Sequence, residues 1–172
     1  MLKIILIALK LEISHCERVL VMQEKIEIIP ALSVAYMRCT GPYGEQNHTL
    51  MERMKQWVSN QGLWTESGVI YGIAKDNPNT TPPDECRYDV CFVTESTFED
   101  SSVQYGKVTN GEYLVFVVTH TSEDVQRFYA SLNDMLSKGE FHFDNKRPIL
   151  ERYQFTLVDK GYCEFCIPII SS

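Results

Sequence analysis

The sequence predicts an α+β fold made of two tandem strand-helix-strand-strand modules, related by pseudo-twofold symmetry, with a groove between the halves. Two amphipathic helical patterns of similar design end at Gly62 and Gly139, and each follows one alternating strand and precedes two more. Each helix would back an antiparallel sheet, and 172 residues that are 44% hydrophobic can fill a shared core. The domain is predicted at residues 22–170, with halves at 22–97 and 98–170 after an extension at 1–21.

The first half begins with two strands that Pro30 separates, because proline cannot donate to a sheet. The sequence Gly41-Pro42-Tyr43-Gly44 then predicts a turn. Apolar residues at helical spacing follow it, and Gly62 stops that pattern. The predicted elements are strands Lys25–Ile29, Leu32–Thr40, Gly68–Lys75 and Arg87–Thr94, and a helix from Glu45 to Asn60.

The second half repeats this order. Asn110-Gly111 is typical of a tight hairpin and would join two antiparallel strands. Ser122 is a good helix N-cap, with acidic residues in the first turn. The predicted elements are strands Val103–Val108, Glu112–Thr119, Arg147–Leu157 and Gly161–Ile169, and a helix from Ser122 that stops at Gly139.

Composition and charge exclude several functions. The formal net charge is -7 and the 16 basic residues form no dense run, which argues against direct contact with nucleic acid. The six cysteines indicate reduced thiols in the cytoplasm. Cys163 and Cys166 form a lone CxxC motif within a predicted strand, without histidines at ligand spacing. We therefore predict no metal and no cofactor.

The segment Met1–Leu11 looks superficially like a signal peptide. Its apolar run from Ile4 to Leu9 is too short, and no small-residue cleavage site follows. It is also shorter than the roughly 20 apolar residues that span a membrane. We expect an extra strand or helix packed on the domain, or else a poorly attached leader.

Glu151 is a charged residue on the otherwise apolar face of its predicted strand. Side chains alternate along a strand, so Glu151 shares a face with Ile149, Tyr153 and Phe155, whereas Arg152 points the other way. A carboxylate in an apolar, aromatic wall needs a partner, and a cationic ligand would supply one. The alternative is that Arg152 or another basic residue pairs with Glu151 at a sheet edge.

Aromatic residues concentrate in the strands and loops that could line the seam between the halves, where pockets tend to form. We expect some of them to contact a ligand and the others to be core. They are Tyr36, Trp64, Tyr71, Tyr88, Tyr113, Phe116, Tyr153 and Phe155.

Several short motifs together resemble the GyrI-like, or SbmC-like, small-molecule-binding domain, which also forms the effector-binding half of AraC-type and MerR-type multidrug regulators. The resemblance spans residues 22–170. It is carried by Val34–Gly44, Tyr71-Gly72-Ile73 with Asp76-Asn77-Pro78, Cys86–Val90, Pro148–Tyr153 and Ile167-Pro168-Ile169. The family fold that it implies has two modules in pseudo-twofold symmetry around a ligand groove.

The resemblance implies that Glu151 is the acid of an aromatic groove that takes cationic, lipophilic compounds. We therefore expect a standalone cytoplasmic binding protein for amphipathic or cationic lipophilic small molecules, used in drug or toxin sensing or sequestration. A protein partner, if one binds, would be a regulator or gyrase. The expected ligand-binding residues are Glu151, Tyr153, Tyr71, Tyr36, Trp64, Tyr113 and Phe116.

Two alternatives follow from the same resemblance. Some members are similar in fold but hydrolyse cyclopropane-type genotoxins, for which Glu151 would activate water and Tyr71, Tyr113 or Tyr153 would supply a hydroxyl. Tyr71 is the working candidate for that catalytic role. The other alternative is a protein-binding module of the gyrase-inhibitor kind.

The second half departs from the family pattern before its helix. Where many relatives repeat Gly-Pro-Tyr, this chain has Thr119-His120-Thr121, which makes symmetric ligand contacts doubtful. We interpret His120 as a turn residue rather than a catalytic base, because no partner is positioned beside it in the sequence.

Overall fold

The computed structural model describes residues 21–138 and 141–170. Its strands are β1 (Val21–Ile29), β2 (Leu32–Thr40), β3 (Val69–Ala74), β4 (Arg87–Val93), β5 (Gln104–Val108), β6 (Gly111–Thr119), β7 (His142–Phe143), β8 (Leu150–Gln154) and β9 (Tyr162–Ile170). Its α-helices are α1 (Glu45–Asn60), α2 (Ser122–Lys138) and the single turn α3 (Phe155–Val158), and Pro83–Glu85 forms a 3-10 turn.

The strands form one curled antiparallel sheet in the order β1-β6-β9-β8-β3-β4-β2-β5, with β7 paired to the end of β9. The sequence predicted a separate sheet for each half. Strands before residue 98 instead pair with strands after it in three places: β1 with β6, β2 with β5, and β3 with β8. In the β3–β8 pair, Tyr71 lies opposite Arg152 and Gly72 lies opposite Glu151. The α+β class is confirmed, and Glu151 lies in the β3–β8 pair at the centre of the strand order.

The two faces of the sheet carry different cores. On one face, α1 packs through Leu50, Met54, Trp57 and Val58, and α2 packs through Phe128 and Leu132 onto Phe165. The opposite face lines the curl of the sheet and buries its own cluster, which includes Tyr71, Tyr113 and Leu150. Side-chain alternation therefore assigns each strand residue to the helix-covered face or to the curled face.

The predicted hairpin at Asn110-Gly111 is wrong. Strands β5 and β6 exist at the predicted positions, but β5 pairs with β2 and β6 pairs with β1 and β9. A type I′ turn requires positive φ at both central residues, and Gly111 is not among the glycines with positive φ. The connection at 109–110 therefore carries the chain from the edge strand β5 to β6, which lies next to the opposite edge strand β1.

The predicted strand Arg147–Leu157 is shorter than expected. It covers only Leu150–Gln154, and the chain then turns into α3. Phe155 leaves the strand because its ring fills the space beside Gly68, where an added Cβ would lie 2.3 Å from that ring. Phe155 also stacks on Trp64, with ring centroids 4.0 Å apart.

The prediction for α1 is confirmed at both ends, and the predicted start of α2 at Ser122 is also confirmed. The predictions for Met1–Leu11 and for Gly139 as a helix stop lie outside the described residues. Across residues 21–138 and 141–170, no helix has the length and apolar character needed to cross a membrane.

Candidate functional site: a carboxylate held by three tyrosine hydroxyls

Glu151 lies near the middle of the sheet, on the helix-covered face where the two halves meet. Three tyrosine hydroxyls donate hydrogen bonds to its carboxylate. Tyr88 on β4 and Tyr153 on β8 donate to Oε2 at 2.6 and 2.9 Å, and Tyr129 on α2 donates to Oε1 at 2.5 Å. Strands β4 and β8 and helix α2 therefore converge on this single carboxylate.

Gly72 makes room for this convergence. It lies opposite Glu151 across the β3–β8 pair. A Cβ added at Gly72 would lie 2.0 Å from the Tyr88 hydroxyl and 2.9 Å from Glu151 Oε2. Only a residue without a side chain leaves the Tyr88 hydroxyl its path over β3 to the carboxylate.

The electrostatics keep the three tyrosines protonated. Burial raises the pKa of Tyr88 well above its usual value, and the negative charge of Glu151 raises it further. The same two causes raise the pKa of Tyr129 and of Tyr153. All three groups are therefore neutral O–H donors at neutral pH, and they leave the charge of the carboxylate uncompensated.

Two more ring systems extend the walls of the site. Tyr43 meets the Tyr88 ring edge-on at 6.2 Å, and the Tyr43 hydroxyl contacts the backbone oxygen of Asp76 at 2.8 Å. His120 packs against the Tyr153 ring with centroids 5.2 Å apart. Burial lowers the pKa of His120, and the nearby positive charge of Lys55 lowers it further. The imidazole is thus predominantly neutral at neutral pH.

Arg152 does not pair with Glu151. Its guanidinium lies on the opposite face, where it donates to Glu164 at 2.7 Å and to both carboxylate oxygens of Glu27 at 2.7 and 2.9 Å. Within residues 21–138 and 141–170, no Lys, Arg or His forms an ion pair with Glu151. In the described part of the chain, the carboxylate therefore has hydrogen-bond partners but no ion-pair partner.

Of the residues predicted to bind a ligand, the structure brings together Glu151 and Tyr153. Tyr71, Tyr36 and Tyr113 lie on the curled face, away from the carboxylate. Tyr71 adjoins Arg152, and burial raises its pKa to about 12. The working candidate for a catalytic role thus lies on the opposite face of the sheet from Glu151.

The other two predicted aromatic contacts lie on the helix-covered face, but not at the carboxylate. Phe116 is buried beneath α2 against Phe128, with ring centroids 5.4 Å apart. Trp64 is 49% exposed and stacks on Phe155. Phe116 is therefore part of the core, and Trp64 packs at the surface.

Tyr129, Gly72 and His120 were not predicted as site residues, and Tyr88 was named only among the aromatics of the seam. Tyr129 lies within the apolar stripe of α2, a pattern that normally indicates core. A tyrosine at the edge of such a stripe is the signal that could have found it, because its hydroxyl needs a polar partner. No local pattern could have indicated Gly72, since its role depends on the pairing of β3 with β8.

The CxxC pair lies in β9, with Cys163 on the helix-covered face and Cys166 on the curled face. Burial raises the pKa of each thiol to about 12, so both remain protonated. In the described parts of the chain, no group of three or more His, Cys, Asp or Glu side chains could hold a metal ion.

Comparison with known proteins gives the family. Residues 22–170 match the GyrI-like small molecule binding domain. The chain belongs to this family. The SPbeta prophage-derived protein YosT of Bacillus subtilis (strain 168), named as a candidate transcriptional regulator, is 39% identical over 150 residues, which cover 86% of this chain and 99% of YosT.

Two solved structures share the fold of this chain at low sequence identity. The EcmrR C-terminal domain superposes with a TM-score of 0.67 at 12% identity, over 87% of this chain and 98% of that domain. SAV2435 bound to tetraphenylphosphonium superposes with a TM-score of 0.59 at 14% identity, over 87% of this chain and 95% of SAV2435.

Proposed function

We propose that this GyrI-like domain binds lipophilic organic cations in the cytoplasm, with Glu151 as the charge partner. The observation that carries the proposal is a carboxylate that three neutral hydroxyls hold in place while its negative charge stays uncompensated. A cation removes that imbalance without disturbing the hydrogen bonds to Oε2. The net charge of -7 favours a cationic ligand as well.

The aromatic rings supply the apolar part of the site. Tyr88 and Tyr153 lie on the sheet, Tyr129 comes from α2, and Tyr43 adjoins Tyr88. Tyrosine faces attract cations through the ring quadrupole, and the attraction strengthens when water is excluded. This combination suits a cation whose charge is spread over a bulky apolar body, such as the tetraphenylphosphonium bound by SAV2435.

Hydrolysis is less well supported by the same geometry. A general acid works best when its pKa lies near the operating pH. The three tyrosines around Glu151 hold their protons more tightly than usual, because burial and the carboxylate raise the pKa of each. They suit a binding site better than proton transfer to a leaving group. The gyrase-inhibitor alternative stays a prediction.

In the cell, the domain would sense or sequester such compounds, alone or through a separate regulator. YosT, which is named as a candidate transcriptional regulator, supports a link to regulation. Five cysteines among the described residues are free thiols, in keeping with a reducing compartment.

We further propose that the two halves, residues 22–97 and 98–170, are duplicated modules. The sheet order supports this, since β8 and β3 meet at the centre and each outward neighbour has a counterpart on the other side. By this correspondence, β9 matches β4, β6 matches β2 and β1 matches β5. Each half thus contributes its first strand to the edge of the other half.

Binding should be tested with a charged and a neutral compound of similar size. Calorimetric titration of tetraphenylphosphonium and of triphenylphosphine oxide into the wild-type protein should give tighter binding of the cation, by about tenfold or more, because the cation gains an ion pair in a partly desolvated site. Equal affinities would contradict the charge argument. Binding of neither compound would contradict the proposed ligand class.

A further inference from the structure

The two oxygens of Glu151 differ in their surroundings. Oε2 accepts hydrogen bonds from two tyrosines of the sheet, Tyr88 and Tyr153. Oε1 accepts one from Tyr129, which belongs to α2. A carboxylate oxygen offers about two lone-pair sites, so Oε2 is saturated and Oε1 has one acceptor position left.

The donors also differ in exposure. Tyr88 is 5% exposed and lies under the site, whereas Tyr129 is 37% exposed. The Tyr129 ring packs edge-on against Phe165, with ring centroids 5.2 Å apart, and this contact holds its hydroxyl over the carboxylate. Of these two donors, Tyr129 is therefore the more exposed residue, and its hydroxyl takes one of the two acceptor positions on Oε1.

Cations differ in what they require of a carboxylate. A primary ammonium is strongly hydrated, and in a binding site it recovers the lost water contacts by donating several N–H bonds. A quaternary ammonium or a phosphonium donates none and needs only the charge and the aromatic faces. A carboxylate whose acceptor positions are mostly filled by tyrosine hydroxyls thus serves the second kind of cation better than the first.

We propose that the Tyr129 hydroxyl makes the site selective for cations without N–H donors. The inference rests on the proposed function, because it concerns which cations Glu151 accepts. A primary ammonium finds one open acceptor position, on Oε1, for its three N–H donors. A second hydrogen bond to the carboxylate would require it to displace the Tyr129 hydroxyl, and one charge-assisted hydrogen bond would be lost. A quaternary ammonium or a phosphonium leaves all three hydroxyls in place.

Two probes that differ only in their head group separate this effect from apolar contact. These are 4-phenylbenzyl-trimethylammonium and 4-phenylbenzylammonium, titrated by calorimetry at pH 7 into the wild-type protein and into Tyr129→Phe. The phenylalanine keeps the ring and frees an acceptor position on Oε1. Tyr36→Phe is the matched control, because its hydroxyl bonds to Gln104 on the curled face, away from the site.

The wild-type protein should bind the quaternary probe more tightly than the primary one. Tyr129→Phe should reduce that preference by about tenfold or more, the value of one hydrogen bond to a charged group. Tyr36→Phe should leave the preference unchanged. An unchanged preference in Tyr129→Phe, with thermal unfolding like that of the wild type, would overturn the inference and leave the proposed function standing. No binding of either probe to the wild-type protein would overturn both.

Discussion

Gly72 faces Glu151 across the pair formed by β3 and β8, and the missing side chain at Gly72 is what allows the Tyr88 hydroxyl to reach the carboxylate. The position is set by the register of two strands that come from different halves of the chain. The hydrogen bond between Tyr88 and Glu151 therefore depends on the register of β3 against β8.

Gly72→Ala should displace the Tyr88 hydroxyl from Glu151. Its Cβ would lie 2.0 Å from the Tyr88 hydroxyl, so that ring must move and its hydrogen bond to Glu151 must break. We expect a loss of about 1–3 kcal/mol in the free energy of unfolding, which is typical of overpacking. Denaturant unfolding measures this loss. Gly106→Ala is the control, because the nearest atom to its added Cβ is 3.3 Å away. Equal, small losses in both variants would argue against the close approach.

The ion network on the curled face should be essential for stability. Arg152 is 5% exposed and donates to Glu27 and Glu164, and Glu164 is 3% exposed. Arg152→Met leaves the Glu164 charge buried without its closest partner, at a cost of about 3–5 kcal/mol. Chemical denaturation measures the loss. Arg87→Met, which breaks an exposed pair with Asp76, should change stability far less. A similar effect of the two substitutions would contradict the network.

The same network predicts how the protein responds to acid. The hydrogen bond from Arg152 lowers the pKa of Glu27 from 4.5 to about 2, despite the opposing effect of burial. The folded state therefore binds fewer protons than the unfolded state in this range, and stability falls as the pH drops from about 4.5 towards 2. Glu27→Gln should make this fall less steep in thermal unfolding, whereas Glu24→Gln on the same strand should not. If the two variants lose stability equally steeply as the pH falls, the assignment of this effect to Glu27 is refuted.

His120 predicts a second dependence on pH. Burial and Lys55 lower its pKa in the folded protein, while Glu151 opposes them, and His48 on α1 adds to the lowering. The unfolded state therefore takes up the proton first, and stability falls as the pH drops below the usual histidine value of 6.5. His120→Asn should flatten the melting temperature between pH 7 and pH 5. His142→Asn, on the exposed strand β7, should retain the slope of the wild type. If His120→Asn leaves the pH dependence of the melting temperature unchanged, another group is responsible for that dependence.

The sequence predicted the elements better than their pairing. Helix α1 was predicted at both ends, because a stripe with a 3.6-residue period and a terminal glycine are local signals. The pairing of β5 with β2, and of β6 with β1, follows from contacts far apart in the chain. Asn110-Gly111 favoured a hairpin locally, and the non-local pairing prevailed.

The same distinction between local and non-local signals explains which residues of the site could be predicted. Glu151 and Tyr153 could be assigned to one face because alternation within a strand is local, and their side chains do meet at 2.9 Å. Tyr88 and Tyr129 reach Glu151 from elements 63 and 22 residues away in the chain. Tyr71 was assigned to the groove for its residue type, and its position in β3 places it on the curled face.

The central proposal is that the charge of Glu151 binds the cation. Its most direct test is a calorimetric cycle with tetraphenylphosphonium and triphenylphosphine oxide on the wild-type protein and on Glu151→Gln, which keeps the shape of the side chain and removes the charge. The substitution should weaken binding of the cation by about tenfold or more and change binding of the neutral compound far less. Equal losses for the two compounds would contradict the proposal.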